Sequence, residues 1–442
     1  MVEGTVWIAN EGGGSLTAID AATNRIVTTV AGVEGPHNVQ VSPDGASVWT
    51  VSGHDGYAAM LSAESLDLHG VVPTGSAPAH VVVSPDGATA YTTNGADDTV
   101  SVIDASTMKA TETIKVRQGP HGLRPSPDGR WLAFAQQRTK GFYGDIRRLM
   151  LLDRRGGSVR EVVGDAWDRS ADGLVWAPDS KRLYGAIDDQ GSVRVYEITL
   201  DGKTRRITGE ETFSSLAIGE QGGVLVGLRQ TFTEPPTVVR IEPKSGKVTK
   251  LSRINDALLA GTALGTYESV TYTGADGKPI QMWVNYPPGF DKSKQYPFFM
   301  LIHGGPHNAI TNAMQFRWNA QVFGSWGYVT AWPNFHGSSG FGNAFTDSIN
   351  PYWDDLPYRD VIAAAEWIKQ QPWIDANRMV AGGGSYGGYL TSVILGRPHP
   401  FKALVAHAAV YNLYTQVAAD FGIEIPRFGS FWTPEQQAVF KQ

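Results

Sequence analysis

One stretch near the C-terminal end has the residue types for nucleophilic chemistry: "RMVAGGGSYGGYLTSVILG", beginning at Arg378. Gly383, Ser385 and Gly387 fit the pattern G-x-S-x-G. In that pattern a strand turns into a helix so sharply that side chains at the two glycines would clash. The turn lifts the serine hydroxyl above the sheet edge. The helix that starts there aims its free N–H groups and positive dipole end at the reacting centre. The N–H of Tyr386 is therefore the expected first donor to an oxyanion. The second is expected from "LIHGGPHNA" upstream, His303 to Pro306, where Gly304 and Gly305 let the backbone approach a substrate. The chemistry this set could do is acyl transfer through a serine ester. The competing reading is a flexible glycine-rich turn. A strand pattern before the turn and a helix pattern after it weigh against that.

A serine alone is a weak nucleophile and needs a base held by a third group. After Ser385 the only histidines are His399, in "GRPHPF", and His407, inside the apolar strand "ALVAHAAV". Both read more readily as satisfied loop or core histidines than as the base. His303 and His307 flank the oxyanion loop and are expected to shape it rather than bind metal. Tyr386 and Tyr389 are expected to pack around the elbow. Asp354 and Asp355 precede a helix and read as capping residues.

The elements around the serine must hold it on a rigid sheet. "YPFFMLIHGGP" is a continuous apolar run into a glycine-rich loop, as in a buried parallel strand. "GYVTAWPNFHG" is another. "PYRDVIAAAEWIKQQPWI" has helical spacing, with Val361, Ala364, Ala365 and Ile368 on one face. Strands alternating with helices predict a parallel α/β sheet from about residue 263 to 442.

The first half has a different grammar. Ser42, Ser84, Ser126, Ala177 and Gly219 occupy equivalent places in a repeat, at spacings of 42, 42, 51 and 42 residues. Each unit has an alternating strand, a turn such as "SPDG", and further short strands. Proline sets φ for the turn and glycine supplies positive φ. Four short antiparallel strands in about 40 residues are the signature of a propeller blade. Residues 1–262 are thus expected to form a β-propeller of about six blades. Its first unit lacks an inner strand, which residues 256–261, "DALLAG", are expected to supply.

His37, His80 and His121 recur near the starts of the inner strands, and Asp172 takes the matching place in the fourth unit. Converging on the channel, they would make an acceptable Zn²⁺ set. His80 is out of register by one, which turns its face in a regular strand. The plainer reading is that "PH" belongs to the repeat's own packing.

The first three units resemble the YVTN-type propeller repeat, with "YTTNGADDTVSVIDAST" the nearest stretch. From about Arg130 the units carry longer charged insertions such as "QQRTKGFYGDIRR". "LIHGGPHNA", "PNFHGSSGFGNAFTDSI" and "GGSYGG" behind a propeller resemble the prolyl oligopeptidase family of serine peptidases, in its dipeptidyl peptidase and acylaminoacyl peptidase branch. The resemblance covers roughly residues 130–430. It implies an α/β-hydrolase domain with Ser385 as nucleophile. It also implies an Asp and then a His far downstream, on loops that this chain does not reach. The hydrolase domain is therefore expected to be incomplete and the chain truncated. His336 stands where many relatives carry Arg, so His336 and His303 are possible substrate-lining residues. The end, "WTPEQQ", reads as a helix start with Thr433 as N-cap and Gln436 closing a capping box.

Composition narrows the partners. The net charge of −6 over 442 residues gives no reason to expect nucleic acid or an anionic membrane. There is no Cys, so disulfides and thiolate chemistry are excluded. No apolar run is long enough to span a membrane. The start shows no signal-peptide pattern, and compartment is left open. The first reading is a serine hydrolase of prolyl oligopeptidase type acting on short peptides or small esters without a cofactor, weak or inactive for want of the Asp and His. A metal-dependent hydrolase using zinc in the channel is the second, and a non-catalytic propeller binding module the third. The strand 403–410 would be an unpaired edge, so a homodimer through it is expected.

Overall fold

A computed structural model describes residues 4–23, 25–116, 120–139, 142–219, 222–419, 425–430 and 432–441. The repeats fold as small antiparallel sheets. The first has three strands, within Thr5–Ala31, and the next three have four each. The strands from Val175 to Lys250 form two such units, joined by a single parallel bridge between Val193 and Thr212. The strands Pro36–Val41, Pro78–Val83, His121–Pro125, Val175–Trp176 and Thr212–Ile218 pack in series, each against the next.

The turn chemistry explains the period. Ser42 Oγ donates to Asp44 at 2.5 Å, Asp44 accepts from the Ala46 N–H at 3.0 Å, and Ser42 Oγ accepts from the Ser47 N–H at 2.9 Å. Ser84 with Asp86, and Ser126 with Asp128, repeat the arrangement. Gly45, Gly87 and Gly129 close the turns at φ of 73°, 72° and 67°.

Residues 256–261 do not supply a strand to the first sheet. Asp256–Leu259 is a single helical turn. Ala and Leu favour the helix, and Lys250 Nζ holds Asp256 Oδ1 at 2.5 Å beside its own sheet.

The C-terminal part is a six-stranded mixed sheet. Its order is Tyr267–Thr273, Pro279–Asn285, Val329–Pro333, Tyr296–Ile302, Ile374–Gly384 and Ala403–His407. The last four run parallel; the first two form an antiparallel hairpin at one edge. The helix Leu356–Lys369 buries Val361, Ala364, Ala365 and Ile368 on the sheet, the face that the spacing predicts. The helix Pro434–Phe440 does begin after Thr433, but no side-chain cap forms, and Thr433 Oγ1 donates instead to the Ser430 carbonyl. Nor does Asp355 cap its helix by side chain; it pairs with Arg359 at 3.4 Å.

Asp360 ties this packing together. It is fully buried, and Oδ1 accepts from the Ala275 N–H at 2.7 Å. Oδ2 accepts from both the N–H and Nδ1 of His336 at 2.7 Å. One carboxylate thus joins helix, hairpin and the loop after Pro333. Asp360→Ala would leave three buried donors unpaired and is expected to cost about 3–5 kcal/mol, read as a lowered urea midpoint.

Candidate active site

Ser385 sits at the end of the strand Ile374–Gly384, where the helix Tyr386–Leu395 begins. Its backbone is at φ 58° and ψ −122°, a strained pose for a residue with a side chain. The turn leaves no room at its two flanking glycines. A Cβ on Gly383 would lie 2.3 Å from the Ile302 carbonyl oxygen, and one on Gly387 2.2 Å from the same atom. Ser385 is exposed, while Tyr386 is buried and donates its hydroxyl to the Trp353 carbonyl at 2.6 Å. The Tyr386 N–H opens the helix, where no intrahelical acceptor exists for it.

The loop after Ile302 comes to meet the serine. A Cβ on Gly304 would lie 3.4 Å from Ser385 Cβ, so the two backbones are in near contact. Gly305 has φ 129°, and a Cβ there would press on the His307 N–H nitrogen at 2.8 Å. Gly304, Gly305, Ser385 and Tyr386 line one cavity of about 750 Å³.

His303 borders that cavity, but it is a support. Nδ1 lies 2.8 Å from the Gly304 carbonyl and Nε2 2.9 Å from Ser338 Oγ, and the ring stacks on Phe335 at 4.0 Å. A carbonyl only accepts, so Nδ1 carries the proton, and Nε2 shares the single Ser338 hydroxyl proton with the Phe335 carbonyl, 2.7 Å from Ser338 Oγ. Burial pushes the imidazole down to about 4. His307 is likewise buried and pushed down to about 4, with Nδ1 3.1 Å from the Gly337 carbonyl and Nε2 3.3 Å from Asn350 Nδ2. Two neutral rings therefore brace the glycine loop against residues 337–338.

His336 does not line the cavity. Its buried ring stacks on Phe345 and bonds to Asp360, on the far side of the loop. The channel histidines fare differently too. Asp172 is held by Arg147 through both carboxylate oxygens. A guanidinium in that place opposes a cation, so Asp172 is not poised as a ligand. His37 Nδ1 meets the Ala79 carbonyl at 2.7 Å, and its ring packs edge-on to His80. The side chain of His121 lies outside the described residues, and among those described no three His, Asp or Glu come together as a metal site.

Of the two downstream histidines, His407 reaches the cavity and His399 does not. His407 pairs in register with Gly384, and its carbonyl accepts from the Ser385 N–H at 3.1 Å. Its ring lies edge-on to Trp318, 5.9 Å away. No side-chain hydrogen bond to Ser385 exists among the described residues. Asp420, which stands too soon after Ser385 to match the downstream Asp that the resemblance implies, falls outside them.

Sequence reasoning missed two contributors from the first half. Tyr143, in the charged insertion, and Asp188, at the end of the strand Arg182–Asp188, both line the cavity. The Tyr143 hydroxyl accepts from the His307 N–H at 3.4 Å. The insertion's length was the available signal for Tyr143; nothing marked Asp188.

The buried histidines set an acid limit. Both bind a proton more readily unfolded, near 6.5, than folded, near 4. Their contribution is intact above pH 6.5 and is lost as pH falls through 4, roughly 3 kcal/mol apiece. Urea midpoints measured from pH 7 to pH 4 are expected to fall across that window, and less so in His303→Gln.

With the geometry in place, comparison with known proteins is informative. A family model described as "Prolyl oligopeptidase family" matches residues 314–441. Dipeptidyl-peptidase 5 of Porphyromonas gingivalis is 33% identical over 290 residues, 65% of this chain and 42% of that protein. A probable dipeptidyl-peptidase 5 of Aspergillus terreus is 34% identical over 315 residues, 69% of this chain and 43% of that protein. The chain thus spans less than half the length of these curated relatives. The acylaminoacyl peptidase of Pyrococcus horikoshii shares the fold, with a TM-score of 0.66 at 16% identity over 99% of this chain and 81% of that one. The blade-like sheets followed by a mixed α/β sheet match that structure's fold. The chain belongs to the prolyl oligopeptidase family of serine peptidases.

Proposed function

We propose that Ser385 is the nucleophile of a serine hydrolase acting by acyl transfer on short peptides or small esters. The observation that carries this reading is the strained Ser385 backbone with Gly304 packed directly against it, inside one cavity. In this reading residues 1–262 are a propeller of six blades and 263–442 an α/β-hydrolase domain. The Ser385 hydroxyl attacks the substrate carbonyl. The N–H groups of Tyr386 and of Gly304 or Gly305 stabilise the oxyanion that forms.

Two imidazoles border the cavity, and neither is set up as a strong base. His303 has both nitrogens engaged, and His407 makes no hydrogen bond to the serine. Turnover by this chain is therefore expected to be slow and best on activated esters, where the oxyanion donors and binding suffice. The cavity walls come from both halves, lined by Tyr143 and Asp188 together with Trp318, Trp332 and Trp353. A volume of about 750 Å³ fits a short peptide and excludes a folded protein.

Incubation with a fluorophosphonate followed by peptide mapping is expected to give one adduct, on Ser385, absent from Ser385→Ala. No adduct, or one that survives the substitution, overturns the assignment.

We also propose that a second copy pairs along Ala403–His407. Among the described residues that strand pairs only with Ile374–Gly384, and Val405 is 52% exposed. Light scattering at high concentration is expected to show a dimer that Val405→Lys disperses; a monodisperse monomer would sink the idea.

A further inference from the structure

The loop from Gly337 to Asn343 is held from two sides. On one side are the neutral rings of His303 and His307, which brace the glycine loop beside Ser385. On the other side the propeller part supplies three contacts. Asp188 Oδ2 accepts from Ser339 Oγ at 2.6 Å. The Gln190 N–H donates to the Gly340 carbonyl at 3.0 Å. Asp168 Oδ1 accepts from the Asn343 N–H at 2.7 Å. The fit is close: a Cβ on Gly340 would come within 2.5 Å of Asp188 Oδ1, and one on Gly342 within 2.3 Å of Asp168 Oδ2.

Asp188 is the unusual member. Part of its side chain borders the cavity, yet Oδ1 is enclosed and has no hydrogen-bond partner. Its neighbours are all committed elsewhere. Arg169 pairs with Asp189, Arg194 also pairs with Asp189, and Arg147 pairs with Asp172. Among the described residues no cation reaches Asp188 itself. The hydrolase side offers it one hydroxyl and a glycine backbone, and no charge.

We propose that Asp188 is a proton-controlled latch between the propeller part and the loop Gly337–Asn343, a positioning residue that holds the cavity wall docked when protonated and releases it when ionised. Docking encloses a carboxylate oxygen with nothing to stabilise its charge, so docking favours the neutral acid. Burial, opposed by Ser339 and Arg169 and reinforced by Asp189 and Asp172, raises the carboxyl from 3.8 to about 6. The docked state therefore binds more protons than the separated one. The gain is complete below the free value near 3.8 and is lost as pH rises through about 6. His307, on the loop's other face, packs on Phe142 and Tyr143 of the first half, so separation frees its ring as well; its titration opposes that of Asp188, is common to every variant and cancels when variants are compared.

That the latch acts on a reactive site rests on the reading of Ser385 above. The test does not, so the two can fail separately. Hydrogen exchange would be followed at the Gln190 and Asn343 amides, which bond across the junction, with the Phe298–Ile302 amides as internal reference. After correction for intrinsic exchange, the protection of Asp188→Asn relative to wild type at the two junction amides is expected to be about tenfold larger at pH 7.5 than at pH 5. Asp188→Asn mimics the neutral acid in both states, so it should be the better protected of the two at both pH values. Ser339→Ala removes the hydrogen bond that favours the ion, so its step, read against Asp188→Asn, should move to higher pH. A ratio of Asp188→Asn to wild type that stays the same at both pH values would overturn the proposal.

Discussion

The carbonyl oxygen of Ile302 has two backbones pressed against it, at Gly383 and at Gly387. No side chain fits at either place, and the rest of the site follows from that crowding. The strand must end there, the helix must begin at once, and the residue between them must turn outward. Ser385 takes up the resulting strain at φ 58°. The pose is held from three directions: the Ser385 N–H bonds to the His407 carbonyl, its carbonyl receives the Tyr389 N–H, and Gly304 closes on its Cβ. A strained residue persists only where its surroundings over-determine it. Here neighbouring strands on both sides do so.

Around that fixed point the second layer is built from neutral polar groups. His303 and His307 could have carried charge, but burial keeps them neutral, and a carbonyl fixes which nitrogen holds the proton in each. A neutral ring that donates on one edge and accepts on the other is a directional spacer. It transmits the position of residues 337–338 to the glycine loop without adding a field at the serine. The blade-like half uses ion pairs instead, with Arg147, Arg169 and Arg194 matched by Asp172 and Asp189.

The parts legible in the sequence were those set by backbone geometry. The glycines of the turn, the apolar strand before the oxyanion loop and the buried face of Leu356–Lys369 follow from sterics and periodicity. So does the repeat, because proline and glycine mark each turn. What was not legible depended on partners distant in sequence. His336 reads as a wall residue until Asp360 is found beneath it. Asp172 reads as a ligand until Arg147 occupies it. Residues 256–261 were assigned a strand by the needs of the ring, whereas their own propensity and the Lys250–Asp256 contact make a helical turn. Tyr143 and Asp188 enter the cavity only because two halves of the chain meet there, and no local pattern records that meeting.

The serine–aspartate turns of the first half have a kinetic corollary. Each closes a hydrogen-bonded ring within five residues, Ser42 to Ser47, Ser84 to Thr89 and Ser126 to Trp131, by a bond internal to the turn. Hairpins nucleated this way form on the microsecond scale, and their internal contacts keep the contact order of each blade low. The mixed sheet is the opposite case: its parallel strands are brought together across long crossovers, from Ile302 to Gly383 and on to Ala406. The two halves of one chain should thus mature at different speeds, with the repeats already in place as a surface when the slower sheet completes the turn that carries Ser385.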